Sequence, residues 1–146
     1  MKVFIVFTAI FMMAFTCVVF QGDMNVYMHD QETIKMIAEE AACQAALCID
    51  EEAYGMGIKK FDTDEADEIT VKYIAGSKKM LAKKGQNNIE YSIGYEDDIH
   101  GFRSMNKSMC PAATVTVKVV TDDYFRLPFL RKESITRRSR YEIEGL

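Results

Sequence analysis

Residues 3–20 read VFIVFTAIFMMAFTCVVF, a run without charge whose polar side chains are Thr8 and Thr16. As an α-helix rising about 1.5 Å per residue, this run spans roughly 27 Å, close to the bilayer hydrocarbon thickness of about 30 Å. Bulky apolar side chains cover every face, so a soluble helix of this composition would need protein all around it. The run therefore predicts a membrane-spanning anchor, which we assign to residues 1–22.

The charges on either side of this run predict its orientation. Lys2 precedes it, whereas Asp23, Asp30 and Glu32 follow it. Because positive charge stays on the cytoplasmic side, we expect a single-pass protein of the cell membrane with a cytoplasmic N-terminus and an extracytoplasmic domain, residues 23–146. The alternative is a cleaved signal peptide, but the apolar core is long for one and no small-x-small cleavage site follows.

The length and net charge of the chain limit the classes of partner that it is expected to bind. The chain of 146 residues has room for one modest domain beyond the anchor, and its net charge of −4 gives no electrostatic footprint for nucleic acid or for an anionic membrane surface. The charge is unevenly spread, with an acidic segment at 21–54 and a basic one from 118 onward. These segments could pair within a subunit or between subunits.

The segment after the anchor predicts a stem helix. Its apolar stripe recurs every three to four residues and is dominated by small side chains, which allow another helix or a sheet to approach closely. The stripe contains Ile34, Ile37, Ala38, Ala41, Ala45 and Ile49. We expect one helix from about residue 3 to residue 54, bent at most at Gly22, and we assign Ala38, Ala41 and Ala45 to a helix-packing interface with other proteins.

The remaining pattern predicts one more helix and three strands. Asp62 and Glu65 form a capping box for the helix, and Gly85 is its expected end. Apolar residues then alternate with polar ones at 89–96, 113–119 and 133–143, the pattern of strands with one buried face. Short connections favour an antiparallel meander with the stem helix on its apolar face, and thus the α+β class.

Two stretches resemble the minor pseudopilin-like proteins of tight-adherence (Tad) pili, the TadE, TadF and TadG group. One is QETIKMIAEEAACQAAL at residues 31–47, which is similar to that family's glutamine- and alanine-rich stretch beyond the membrane. The other is 114–145, with a Val-rich strand, a Leu-Pro-Phe-Leu segment and an ending Glu144-Gly145. The resemblance implies a pilin-like architecture and a role in building a surface pilus or a related secretion apparatus.

One departure from prepilins bears on that role. Prepilins usually carry a charged leader and a Glu a few residues into the apolar segment, whereas here the apolar run starts at Val3 and contains no acid. We therefore expect a permanently anchored assembly component, with the bilayer and other pilin-like proteins as partners. The alternative function is a stand-alone, signal-anchored extracellular binding domain.

Residues that could carry chemistry are few. His29 and His100 have no recognisable nucleophile beside them, and no cofactor motif or phosphate loop is present, so we expect neither an enzyme nor a small-molecule substrate. The acids at 96–98 are compatible with a calcium ion, but a solvated turn explains them more simply.

Cysteines and arginines complete the set of candidate site residues. Cys43 and Cys48 are about 140° apart around a helix and cannot bridge each other, so one or the other could pair with Cys110. Cys48 with Cys110 is the candidate disulfide, and the sequence does not fix the connectivity. Arg138 and Arg140 point outward from the last strand. They could contact a partner protein or protect a sheet edge from unwanted pairing.

Overall fold

The computed structural model describes residues 2–82, 88–102 and 110–143. The chain forms a long helix and two shorter ones, a 3-10 turn, and three strands. In order these are α1 (Lys2–Leu47), α2 (Glu51–Gly55), α3 (Thr63–Ser77), the turn Lys78–Met80, β1 (Asn88–Glu96), β2 (Ala112–Val120) and β3 (Ser134–Glu142). The predicted α+β class, with a long N-terminal apolar helix, a further helix and a three-stranded sheet, is confirmed.

The strands form an antiparallel meander in the order β1-β2-β3, as the short connections predicted. Val117 of β2 is paired with Tyr91 of β1 and with Arg137 of β3. Because side chains alternate along a strand, this register places Val115, Val117 and Val119 on one face, and all three are fully buried. That face is the apolar side of the sheet.

The core lies between this apolar face and the stem half of α1. Ile34 and Ile37 of α1 pack with the three valines of β2, and Ile74 of α3 joins the same cluster. A second cluster at the far end of the stem surrounds Phe61. One continuous helix therefore carries both the exposed apolar run and the surface on which the domain is assembled.

The predicted extension of α1 to residue 54 is wrong, because the helix ends at Leu47. Ile49 pairs with Phe61 in an isolated antiparallel bridge, which requires extended backbone at that point. Asp50 then caps the separate helix α2 by accepting a 3.0 Å hydrogen bond from the Ala53 amide. The predicted helix is continuous through Gly22, as far as its end at Leu47.

The N-cap of α3 matches the prediction, but the second half of the capping box and the helix end do not: the Asp62 amide donates to the Cys48 carbonyl at 3.0 Å and not to the Glu65 side chain. The Asp62 carboxylate accepts a 3.1 Å hydrogen bond from the Glu65 amide, as an N-cap should. The helix ends at Ser77, and after the 3-10 turn Leu81 is extended and buried. Here the Ala82 amide donates to Asp30 of α1 at 2.7 Å, so a tertiary contact sets the helix end. Gly85, the expected cap, lies outside the described residues.

Candidate functional site

The first half of α1 stands clear of the domain. An 18-residue window of this helix has a mean hydropathy of 2.7, and none of it is buried. Val3 and Phe4 are 83% and 73% exposed. A core helix of a soluble protein would be mostly covered, so the helix is one that can cross a membrane, as an anchor or a signal sequence does.

The two polar side chains inside the apolar run are satisfied by the helix itself. Thr8 donates to the Phe4 carbonyl at 2.9 Å, and Thr16 donates to the Met12 carbonyl at 2.8 Å. An unpaired hydroxyl is costly in hydrocarbon, and these bonds remove that cost. The run is thus compatible with lipid in its polar groups as well as in its composition.

Immediately after the apolar run, α1 contacts the connection between β2 and β3, which we call the β2–β3 loop (residues 121–133). Asp23 is 7% exposed and accepts a 2.8 Å hydrogen bond from the Arg126 amide. The Arg126 guanidinium also lies 3.6 Å from the other Asp23 oxygen. One helical turn earlier, the Phe20 ring stacks on Phe125 with centroids 5.9 Å apart. At least one acid of the acidic segment therefore pairs with the basic segment inside the subunit.

Asp30 joins α1 to two other parts of the chain. Its carboxylate is fully buried and accepts hydrogen bonds from the Ala82 amide at 2.7 Å and from the Tyr124 hydroxyl at 3.3 Å. The Tyr124 ring meets Tyr27 edge-on, with centroids 5.3 Å apart. Burial, together with the nearby Asp30 carboxylate, raises the pKa of Tyr124, so its hydroxyl remains a donor.

The sequence indicates Asp23 and Asp30 as signals of topology, and the fold gives both a structural role that the sequence does not predict. A signal was present: Asp23, Tyr27 and Asp30 are spaced by four and then three residues, which places them on one face of a helix. Their partners, however, lie between 52 and 103 positions further along the chain. No local pattern identifies those partners.

The alanine stripe lies inside the subunit. Ala38, Ala41 and Ala45 are at most 1% exposed and pack with residues of the chain's own core. Small side chains do allow close approach here, and the elements that approach α1 are the β-sheet and α3. In this conformation these three residues are covered and present no surface to a neighbouring protein.

The outward-pointing arginines differ in what they already contact. Both lie on the outer face of β3, as predicted, with Arg137 on the opposite face donating to Gln31 of α1 at 2.8 Å. Arg140 is half-buried and pairs with Glu96 at 2.8 Å and with Glu142. Arg138 is exposed and has no ion pair with a described residue. Of these two arginines, Arg138 is therefore the one whose side chain is exposed and unpaired among the described residues.

A cavity of about 420 Å³ opens on the outer face of the sheet beside Arg138. Its walls are mainly polar: hydroxyls of β1 and β2, the Glu96 carboxylate and the His100 ring. Thr114, which lines it, is 7% exposed, and its hydroxyl has no hydrogen-bond partner among the described residues. Sequence analysis did not anticipate this concave surface, since it forms only where the strands and the segment after β1 meet.

Asp97 was expected in a solvated turn, but its carboxylate is buried and links two segments of the chain. It is fully buried and accepts hydrogen bonds from the amides of Phe61, Ile99 and His100 at 3.2, 3.0 and 2.6 Å. The His100 ring lies 2.8 Å away. Burial raises the pKa of Asp97, but these hydrogen bonds outweigh it and hold the pKa below its usual value. The carboxylate thus joins the end of β1 to the segment before α3.

All four cysteines are described and all are free, so the Cys48–Cys110 disulfide is not formed in this structure. The Cys48 thiol donates to the Gln44 carbonyl at 3.4 Å. Burial, with the Glu65 and Asp62 carboxylates nearby, raises the pKa of Cys48 and disfavours the reactive thiolate.

Within the described ranges, no group of three or more His, Cys, Asp or Glu side chains is placed to hold a metal ion. No protein-family model, no curated protein and no solved structure matches this chain.

Proposed function

We propose that the protein is a non-enzymatic, membrane-anchored, pilin-like component that assists assembly of a surface pilus or a related secretion apparatus, of the tight-adherence kind. The observation that carries the proposal is the continuity of α1. Its first half is apolar and uncovered, and its second half forms the spine of a domain capped by an antiparallel meander. A rigid connection of this kind holds the domain at a fixed height above the bilayer.

In this proposal the anchor does more than hold the chain in the membrane. Its exposed Phe, Ile, Val and Met side chains can pack against the apolar helices of other pilin-like proteins within the bilayer. The N-terminus lies in the cytoplasm and the sheet lies outside, where exposed Arg138 offers charge to a partner. Because the alanine stripe is buried, assembly contacts fall on the anchor and on the outer surfaces of the domain.

Photo-crosslinking in the membrane tests the proposal. A photoreactive phenylalanine replaces Phe11, which is 61% exposed in the middle of the anchor, in the full-length tagged chain. We expect covalent adducts with other single-pass proteins that carry apolar N-terminal helices. The matched control places the same group at Met56, 76% exposed at the far end of the stem, where anchor partners are out of reach.

Adducts at position 11 with lipid alone, or a full-length chain found free in the cytoplasm, would contradict the proposal.

The alternative is a stand-alone, anchored binding domain, and the cavity beside Arg138 is the observation that favours it. A strain that lacks the protein separates the two functions. Loss of surface filaments supports assembly. Intact filaments with lost capture of an extracellular ligand, restored by the wild type and not by Arg138→Ala, support the binding domain.

A further inference from the structure

Contacts along β2 and the β2–β3 loop run down α1 toward the anchor. At the start of β2, Ala113 clusters with Ala45, and further along β2 the valines cluster with Ile34 and Ile37. The loop then meets Asp30 through Tyr124, Asp23 through Arg126 and Phe20 through Phe125. Phe20 is the last residue of the apolar run, so the loop reaches the level at which the proposed anchor leaves the bilayer.

The tip of the loop lies within a short distance of this level. The Leu130 amide donates to the Leu127 carbonyl at 3.0 Å, which closes a turn with Pro128 and Phe129 at its centre. Phe129 follows Arg126 by three residues, and an extended chain covers at most about 10 Å over that length. The domain begins to cover α1 at the end of the apolar run, because Val19 and Phe20 are half-buried whereas Val18 beside them is exposed.

The side chains at this tip have the character of a bilayer interface. Phe129 is 73% exposed, although a large apolar ring at the tip of a turn gains nothing from water. The side chains of Arg126 and Arg131, on either side of it, are 83% and 80% exposed. Trp and Tyr rings lie at headgroup level, Phe side chains of interfacial segments enter the boundary between headgroups and acyl chains, and guanidinium groups bind phosphate through paired N–H donors.

Acidic residues of the same loop sit at its base. Asp123 accepts hydrogen bonds from the amides of Phe125 and Lys132, which join the two arms of the loop. Glu133, adjoining β3, pairs with Arg131 at 2.7 Å. Residues 124–131 therefore carry two arginines and no acid, while the acids lie nearer the sheet.

We infer that residues 126–131 form a membrane-contacting collar, in which Phe129 enters the interfacial layer of the bilayer that holds α1 and Arg126 and Arg131 face lipid phosphates. This inference rests on the proposed function, because it needs the anchor to be retained in lipid. Through its contact with Asp23, the collar supports α1 at the membrane surface. It fixes the angle at which the domain stands, since helix and loop enter the interface together.

The absence of tryptophan from the chain permits a direct test. The full-length Phe129→Trp variant, with a single fluorophore, is reconstituted into vesicles of phosphatidylcholine and phosphatidylglycerol in equal parts. We expect roughly half of its fluorescence to be lost when the phosphatidylcholine carries bromine near the headgroup end of its chains, because interfacial aromatic rings lie at that depth.

Two further single-tryptophan variants control the measurement. Met56→Trp replaces a side chain that is 76% exposed, closely matched to Phe129. It follows the end of the stem, roughly 40 Å from Phe20 along the helix, and should not be quenched. Phe11→Trp reports on the anchor itself and should be quenched by bromine placed deep in the chains.

The outcomes separate the collar from the anchor. Quenching at positions 11 and 129 without quenching at 56 supports the collar. Quenching at position 11 while position 129 behaves like position 56 overturns the collar and leaves the anchor intact. No quenching at position 11 overturns the anchor and the collar with it. Since Phe129 is exposed, its replacement should leave the circular dichroism spectrum unchanged, and that spectrum verifies folding in each variant.

Discussion

Ala41 lies in the contact between α1 and the sheet and is fully buried there. Its replacement by Phe adds a ring where close packing leaves no room, and overpacking of this kind costs about 1–3 kcal/mol. We expect Ala41→Phe to lower the free energy of unfolding by that amount, measured by urea titration of the full-length chain in mild detergent. Met36→Phe, on the exposed side of the same helix, is the control and should change little.

This prediction changes how co-purification with other pilus components should be interpreted. Sequence analysis assigned Ala41 to an interface between proteins, so a lost partner after Ala41→Phe would have indicated direct contact. With Ala41 in the core, such a loss follows from damage to the fold. Wild-type stability together with lost co-purification would contradict the packing seen here and favour an intermolecular role.

Asp97 makes stability depend on pH. Its pKa in the folded protein is below the usual value of about 3.9, so the carboxylate stabilises the fold fully above that value. The contribution is lost as the pH falls through the lower, folded pKa. For Asp97→Asn we expect a loss of roughly 1–3 kcal/mol near neutral pH, the usual cost of disrupting hydrogen bonds to a charged group.

The difference between wild type and Asp97→Asn should shrink when the urea titrations are repeated at progressively lower pH. Glu39→Gln controls for general loss of acidic charge, because Glu39 is exposed and its one ion pair among the described residues is a surface pair with Lys35. A difference that stays constant down to strongly acidic pH would show that the Asp97 charge contributes nothing.

Individual residues differ in how far the sequence predicts their role. The Asp62 cap follows a local rule that spans three positions, and it is present. Asp30 and Asp97 were assigned to charge balance and to a solvated turn because nothing near them indicates burial. Each has at least one donor that is distant in sequence: Tyr124 is 94 positions from Asp30, and Phe61 is 36 positions from Asp97. Burial of a polar side chain by residues distant in sequence depends on the assembled fold, so the local sequence does not predict it.

At the scale of elements, the stability of α3 depends on the hydrogen bond that caps its N-terminus. Asp62→Ala removes the acceptor for the Glu65 amide, and loss of an N-cap typically costs about 1 kcal/mol. We expect that decrease in the free energy of unfolding, with a smaller effect from Glu68→Ala, which removes an exposed acid from the same helix and leaves the cap. Equal effects from the two variants would mean that charge and not capping stabilises α3.

Element types followed from periodicity, whereas element ends often did not. Alternation with a period of two located all three strands to within about two residues, since one face of each meets the core. The ends of α1 and α3 were placed too late. In each case a tertiary contact intervenes: the bridge from Ile49 to Phe61 and the hydrogen bond from Ala82 to Asp30. At these two helix ends the tertiary contact, and not the local sequence signal, determines where the helix stops.

For the whole molecule, α1 acts as one rod of 46 residues, roughly 69 Å long. Its first half is fit for lipid and its second half is the spine of the domain, and the β2–β3 loop contacts α1 where the two halves meet. Under the proposed function, the position of the domain relative to the membrane therefore depends on how the anchor is held. A change in how the anchor sits would be transmitted through α1 to the domain.

A charge in the middle of the anchor tests this dependence. Phe11→Arg places a cation near the centre of the apolar run, which costs about 2.5–3.5 kcal/mol on insertion scales. We expect a larger fraction of the full-length protein in the supernatant after alkaline carbonate extraction of membranes. Met56→Arg adds the same charge at an exposed site beyond the stem, and it should remain in the pellet like the wild type. If the wild type and both variants are all recovered in the supernatant, the apolar run does not hold the chain in lipid, and every function that requires an anchored domain must be abandoned.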